Sequence, residues 1–158
     1  MSTAATWFDD DPVTADPAGR DHVVVRLGDG RYAVRATDVA EVTPVPTLTR
    51  VPGTPRWVRG VANWRGHVLP VVDLRPVLGV TEPALPSSAR VIVLVVGDVE
   101  VGVLAEAVDG LLEVPDRLGA PPSGGAGPDL VVGVHDAGRH GLVAVLGTDE
   151  VLLLAGRA

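Results

Sequence analysis

The chain has no cysteine and no lysine. The first absence removes disulfides, thiol nucleophiles and thiolate metal sites together, and it fits a reducing compartment. The second removes Schiff-base chemistry, a lysine base and the lysine of a phosphate-binding loop, since all 13 basic residues are arginine. Aromatics are scarce: three Trp, one Tyr and one Phe in 158 residues. That is too few for the stacking platform that single-stranded nucleic acid requires. Positive charge is scarce too. The formal net charge is −7 and the pI is near 4.9, so the chain repels phosphate backbones and no nucleic-acid partner is expected. The longest unbroken aliphatic run is Val91 to Val96, far short of a membrane span, so no direct membrane insertion is expected. Met1 to Asp11 carry neither the basic start nor the apolar run of a secretory leader, so a cytoplasmic protein is expected.

What is present reads as one globular domain behind a tail. Hydrophobic residues make up 46% and charged residues 21%, a composition that folds. Residues 1–21 read as an acidic, flexible arm, with Asp9, Asp10, Asp11 and Asp16 set among Pro12 and Pro17. Trp7 and Phe8 are the exception there, an aromatic pair suited to docking. From His22 onward the chain is rich in valine, 31 in all, which favours strands through its stiff branched side chain. Gly28-Asp29-Gly30 is hairpin-turn chemistry between two short strands. Asp38 to Glu41 fits one helical turn with a capping box. Strands are expected over Trp57–Trp64 and Val68–Leu74 around an Arg65-Gly66 corner, then a helical turn over Arg75–Leu78 stopped by Gly79. Residues 81–89 are a connector, and Pro115 to Asp129 a long Pro/Gly loop.

The pattern then repeats. At an offset of 69, Leu27-Gly28-Asp29 falls on Val96-Gly97-Asp98, Tyr32 on Val101, Val34 on Val103, Val39 on Val108 and Val42 on Leu111. At an offset of 74, Leu69–Leu78 falls on Val143–Leu152. Two units of about five short strands each, too small to stand alone, argue for small barrels rather than a parallel sheet.

Most candidate chemistry reduces to scaffold. Gly28-Asp29-Gly30-Arg31-Tyr32-Ala33 fits a dinucleotide fingerprint, but no long helix follows it. Ser123 to Gly127 is glycine-rich and lacks the end of a phosphate cradle. His135 and His140 around Asp136 sit in hairpin-tip surroundings rather than zinc-site spacing. His22 and His67 are isolated. No serine lies in a nucleophile elbow. Asp73, Glu106, Asp109 and Glu113 read as solvated or capping carboxylates, so no catalytic residue, metal or cofactor is expected. The centre of the chain differs. Between Arg56 and Leu74, two tryptophans and three arginines cluster where a strand turns, and Trp and Arg are the commonest interface anchors. Arg65 sits at the corner, where its planar fork can meet a carboxylate, and Glu41 is a candidate partner.

Gly60-Val61-Ala62-Asn63-Trp64-Arg65-Gly66-His67-Val68-Leu69-Pro70-Val71-Val72-Asp73-Leu74 resembles the signature G-V-x-N-L-R-G-x-x-[LIV]-P-[VI]-x-D-L of the CheW-like domain, the adaptor of bacterial chemosensory arrays. Leu48 to Pro52 and Val101 to Leu104 resemble flanking segments of the same family, and the likeness runs from about His22 to Leu154. It implies an all-β fold of two interlocked five-stranded SH3-like barrels with short helical turns. The first is expected over about 22–80 and the second over about 90–155, exchanging terminal elements within a domain of residues 22–158. It implies no enzymatic activity. The implied role is an adaptor recruited to membrane-associated arrays, joining chemoreceptor cytoplasmic tips to the regulatory domain of a CheA-type histidine kinase. A divergent member would instead serve a non-flagellar pathway, or cap the kinase without activating it. By the motif match Arg65 is the interface arginine, Val39, Glu41 and Gly60 fall at positions of receptor or kinase contact, and Asn63 and Gly66 shape the corner. Trp64 departs from the family, standing where a smaller aliphatic residue is usual. Glu106 and Gly147 stand at two second-half positions where aspartate is usual.

Overall fold

A computed structural model describes residues 20–121 and 129–156. Trp7, Phe8, most of the expected tail and the Ser123–Gly127 loop fall outside them. The chain forms β1 (Asp21–Leu27), β2 (Gly30–Arg35), β3 (Val39–Pro44), β4 (Val58–Trp64), β5 (His67–Val72), helix α1 (Arg75–Leu78), β6 (Arg90–Val96), β7 (Val99–Ala105), β8 (Ala107–Glu113), β9 (Val131–Asp136), β10 (Leu142–Leu146) and helix α2 (Thr148–Gly156). The strands make two five-stranded sheets, ordered β8-β1-β2-β10-β9 and β3-β6-β7-β5-β4.

The repeat seen in the sequence explains these orders. Each unit is a hairpin, a third strand, a second hairpin and a helix. In each sheet the first hairpin of one unit is completed by the last three strands of the other. Thus β1-β2 sits with β8, β9 and β10, while β6-β7 sits with β3, β4 and β5. Parallel pairs make the join, β10 on β2 and β5 on β7. The division expected near residues 80–90 is therefore not where the sheets divide. One sheet is built wholly from residues 39–105, and the chain enters and leaves the other. The exchange involves whole hairpins rather than terminal elements, because a lone unit cannot cover both faces of its hairpin.

The core follows from this layout. The largest apolar cluster draws on both sheets, including Val23, Val25, Leu27, Tyr32 and Val34 from one and Ile92, Leu94, Val101 and Val103 from the other. Two smaller clusters fill the opposite faces: Ala33, Val114, Val143 and Val145 in the first sheet, and Ala62, Leu69, Val71, Val91, Val93 and Leu104 in the second. Alternate residues of the hairpins thus enter different cores. That is why Val91–Val96 reads as an unbroken apolar run.

Both sheets curl shut by the same device. After β3 the chain crosses to the far edge, where Thr49 bridges Val61 of β4; after β8 it does the same, where Gly119 bridges Val134 of β9. A glycine in each edge strand admits the crossing segment. A Cβ on Gly60 would lie 2.5 Å from the Thr49 carbonyl oxygen, and one on Gly133 would lie 2.5 Å from Leu118 Cβ.

One local expectation fails. Ala36–Asp38 forms the helical turn, of 3-10 type, and Val39–Pro44 is a strand paired with β6. The capping box at Asp38–Glu41 does not form, because Val39 and Val42 pack against the inter-sheet core and pairing outweighs a local cap. Arg75–Leu78 does form a helix, and Gly79 ends it at φ 72°.

The sheets are joined by buried charge as well as by apolar contact. Arg75, 3% exposed, grips the 1% exposed Asp73 by Nε and Nη2 at 3.0 and 2.9 Å. The Arg75 backbone N–H donates to the same carboxylate at 3.0 Å, and Arg59 Nη1 donates at 3.1 Å. Arg75 Nη1 donates to Glu106 at 3.3 Å and to the Pro83 carbonyl at 2.8 Å. Glu106 in turn accepts the N–H of Gly28, in the β1–β2 turn of the other sheet. Asp73 and Glu106 are therefore buried ion partners rather than solvated carboxylates, and of the expected solvated or capping roles Asp73 keeps the second, accepting the first N–H of α1. Burial pushes the Asp73 carboxyl up, but hydrogen bonds from Arg75 and the charges of Arg75 and Arg59 outweigh it and hold it below its ordinary value. The Asp73 hydrogen bond raises Arg75 against the opposing effect of burial.

Asp73→Ala leaves Nε and Nη2 of the buried Arg75 without their acceptor and is expected to cost about 3–5 kcal/mol in urea unfolding; a cost under ~1 kcal/mol, the scale of a surface pair, would contradict burial of the network. The pH dependence has a definite sign. Because the folded Asp73 pKa lies below its unfolded value of about 3.9, its contribution is present above that value and lost as pH falls through the folded one. Arg75 stays charged throughout. Unfolding followed from about pH 6 down to pH 2 is expected to show a steeper acid loss for the wild type than for Asp73→Asn.

Candidate functional site

Strands β4 and β5 pair antiparallel, with Trp64 opposite His67 and only Arg65-Gly66 between them. Both turn residues are left-handed, φ 51° and 79°, as a primed two-residue hairpin requires. Glycine adopts this freely, but arginine does so at a cost of about 1 kcal/mol. Arg65 is the one non-glycine residue with positive φ among the described residues. Asn63 fastens the turn: its Oδ1 accepts the Gly66 N–H at 3.0 Å.

Around this turn the side chains form a connected corner. Glu41 Oε1 accepts both Arg65 Nη2 at 2.9 Å and Trp64 Nε1 at 3.1 Å. Glu41 lies on β3 and Trp64 on β4, the two edge strands of their sheet, so these bonds also hold the curled edges together. The Arg65 guanidinium lies 4.9 Å from the Trp64 ring centre, within cation–π range. The other part of Trp64 packs on the apolar cluster inside the sheet. Trp64 thus serves both the core and the surface. His67 meets Trp64 edge-on, 6.4 Å between ring centres at 79°, and its Nδ1 is 2.9 Å from Glu100. Beside it Val68 and Val99 stand 74% and 52% exposed. The parallel register of β5 and β7, with Val71 opposite Gly102 and Val72 opposite Val103, puts Val99 opposite Val68 when carried back to the start of both strands.

The Arg65 side chain is 65% exposed and Glu41 35%, so their ion pair is worth at most about 1 kcal/mol. It orients the guanidinium more than it holds the fold. Five of the residues singled out in the sequence, Glu41, Asn63, Trp64, Arg65 and Gly66, meet at this corner. Val39 shares β3 with Glu41, but packs on the inter-sheet core. Gly60 is buried and carries the Thr49 crossing, so it shapes the corner from beneath. The His67–Glu100 pair and the Val68–Val99 patch were not legible, since the pairing that joins them spans some thirty residues.

Asp109 pairs with Arg31 at 3.3 Å and Arg26 at 3.7 Å, away from Asp73 and Glu106. Among the described residues no three His, Asp or Glu gather as a metal site, and no helix is long and apolar enough to cross a membrane.

Comparison with known proteins agrees with the fold. The CheW-like domain profile matches residues 21–154. The chain belongs to the CheW-like domain family. It is 36% identical over 133 residues to the protein FrzA of Myxococcus xanthus, covering 82% of this chain and 83% of that one. It is 34% identical over 130 residues to the chemotaxis protein CheW of Rhizobium meliloti, covering 82% and 80%. The scaffolding protein TtCheW of Thermoanaerobacter tengcongensis superposes with a TM-score of 0.75 at 23% identity, over 85% of this chain and 88% of that one.

In this CheW-like domain, stability and corner chemistry separate by position. Arg65→Ala is expected to change folding stability by no more than ~0.5 kcal/mol. Gly60→Ala meets both a φ of 139° and the Thr49 backbone, and is expected to lose about 1–3 kcal/mol. Chemical unfolding of the two variants checks this. Equal losses would move Arg65 from the surface into the scaffold.

Proposed function

We propose that this CheW-like domain is a non-enzymatic adaptor of a chemosensory array. It couples chemoreceptor cytoplasmic tips to a CheA-type histidine kinase through the kinase's regulatory domain, and it works in the cytoplasm, recruited to membrane-associated receptor clusters. The observation that carries this reading is the Arg65 corner. An arginine is held in a left-handed turn that favours glycine, stacked on Trp64 and oriented by Glu41, with most of its side chain in solvent. A costly backbone conformation retained for an exposed side chain is the signature of a recognition element.

The mechanism is binding alone. The Arg65 fork offers a charge-assisted, two-point contact to a partner carboxylate or to backbone carbonyls, and so fixes register. Trp64, Val68 and Val99 supply apolar area beside it. Such a contact need be only micromolar in isolation, because an array multiplies it through effective concentration.

Calorimetric titration with the regulatory domain of the cognate kinase tests the reading. Wild-type protein is expected to bind. Arg65→Glu, which inverts the charge at the corner, is expected to weaken binding by about 2–5 kcal/mol at unchanged melting temperature. Full binding by the variant would assign Arg65 to the receptor side, and no binding by either protein would remove the kinase as partner.

A further inference from the structure

The Leu48–Arg59 segment, between β3 and β4, forms a groove of about 830 Å³. Its walls are apolar, from Leu48, Val51, Pro52, Pro55 and Val58, and its charge is of one sign, from Arg50, Arg56 and Arg59. No acidic residue lines it. Arg50 makes no ion pair among the described residues, and Val51 is 39% exposed. Arg56 meets Glu82 with 71% of its side chain in solvent, and Arg59 keeps 42% exposed beyond its bond to Asp73. In a chain of net charge −7, this is a local reversal of sign. The other large clefts lack it. Beside α2, Arg20 and Arg35 face Asp38, Asp116, Asp149 and Glu150, and the cleft beside β8 sets Arg31 against Asp109.

The matching segment lies in the same chain. Residues 1–19 contain four aspartates and no base, and they hold Trp7 and Phe8, two of the five aromatics. The run Trp7-Phe8-Asp9-Asp10-Asp11 sets two large apolar side chains directly before three charges. That order suits a groove with apolar walls and a cationic rim, where aromatic faces also attract guanidinium groups. The thirteen residues from Trp7 to Arg20 extend to about 45 Å, against a diameter of roughly 40 Å for a compact chain of this length, whose radius of gyration is roughly 15 Å. The segment is long enough to cross from one face of the domain to another.

We infer that Trp7–Asp11 docks in cis into the Leu48–Arg59 groove, the aromatics on the proline and valine walls and the aspartates on Arg50 and Arg56. Thr49, in the same segment, is hydrogen-bonded to Val61 of β4, the strand that leads to Arg65. The inference does not depend on the adaptor reading.

The absence of cysteine allows a clean test. A spin label on Ser2→Cys in the full, ¹⁵N-labelled chain is expected to broaden the amides of Val51, Gly53 and Thr54 selectively. The broadening is expected to vanish near 1 M salt, where the Debye length is about 3 Å, and in an Arg50→Glu/Arg56→Glu variant. An Asp9→Asn/Asp10→Asn/Asp11→Asn chain tests the same contact from the other side and is expected to lose it as well. Uniform weak broadening, or broadening centred on the cleft beside α2, would overturn the inference. So would the same broadening in unlabelled ¹⁵N chains mixed with spin-labelled ¹⁴N chains, because the contact would then lie between copies.

Discussion

Arg75 is the charge on which the two sheets turn. Its guanidinium is nearly sealed from water, yet it is paired twice, with Asp73 at the end of β5 and with Glu106 in the crossing from β7 to β8. Glu106 hands the connection on to the Gly28 N–H in the opposite sheet, and Pro83 ties in the connector. Taking such a group out of water costs several kcal/mol, and Coulomb attraction only offsets that when the remaining donors are also bonded. Here Nε, Nη1 and Nη2 all find acceptors. The net gain over an apolar substitute is small, but the arrangement is specific. Only one packing of hairpin against hairpin brings the three residues and the Gly28 turn together.

That specificity matters because the two units are exchanged. Each first hairpin is buried on both faces, once in its own sheet's interior and once against the other sheet. Neither unit offers its hairpin that cover alone, so the domain folds as a pair of units or not at all. The same exchange delivers the corner. The β4–β5 hairpin is joined through β5 to β7 of the other unit, while Glu41, arriving on the opposite edge strand, reaches Trp64 and Arg65 only because the sheet curls shut. The orientation of one exposed arginine thus rests on the closure of a whole sheet, and that closure rests on a glycine, Gly60, that lets the chain pass.

Much of this was legible in the residues. The repeat, the hairpins at Gly28 and Gly97, the helix stop at Gly79 and the Arg65-Gly66 turn are local, and local chemistry determines them. The Glu41–Arg65 contact was legible as a pairing of charge with corner. What was hidden depended on distance along the chain. Nothing near Glu106 marks it as a partner of Arg75, since 31 residues separate the two; Asp73 stands only two residues from Arg75, but the burial that makes the pair matter comes from the distant strands packed around it. The midpoint division of the sheets failed for the same reason: a repeat states what the units are, not which strands they trade. At Asp38–Glu41 a valid local signal, the capping box, lost to strand pairing that buries Val39 and Val42.

We propose that this domain transmits between receptor and kinase rather than merely binding one of them. The measurement that tests it most directly is kinase autophosphorylation in a reconstituted mixture of cognate receptor membranes and CheA-type kinase, with and without this protein. The account predicts kinase activity that rises when the protein is added and then responds to receptor ligand. Kinase activity that is unchanged, or suppressed, by a protein that still binds would contradict it and leave a cap in place of a coupler.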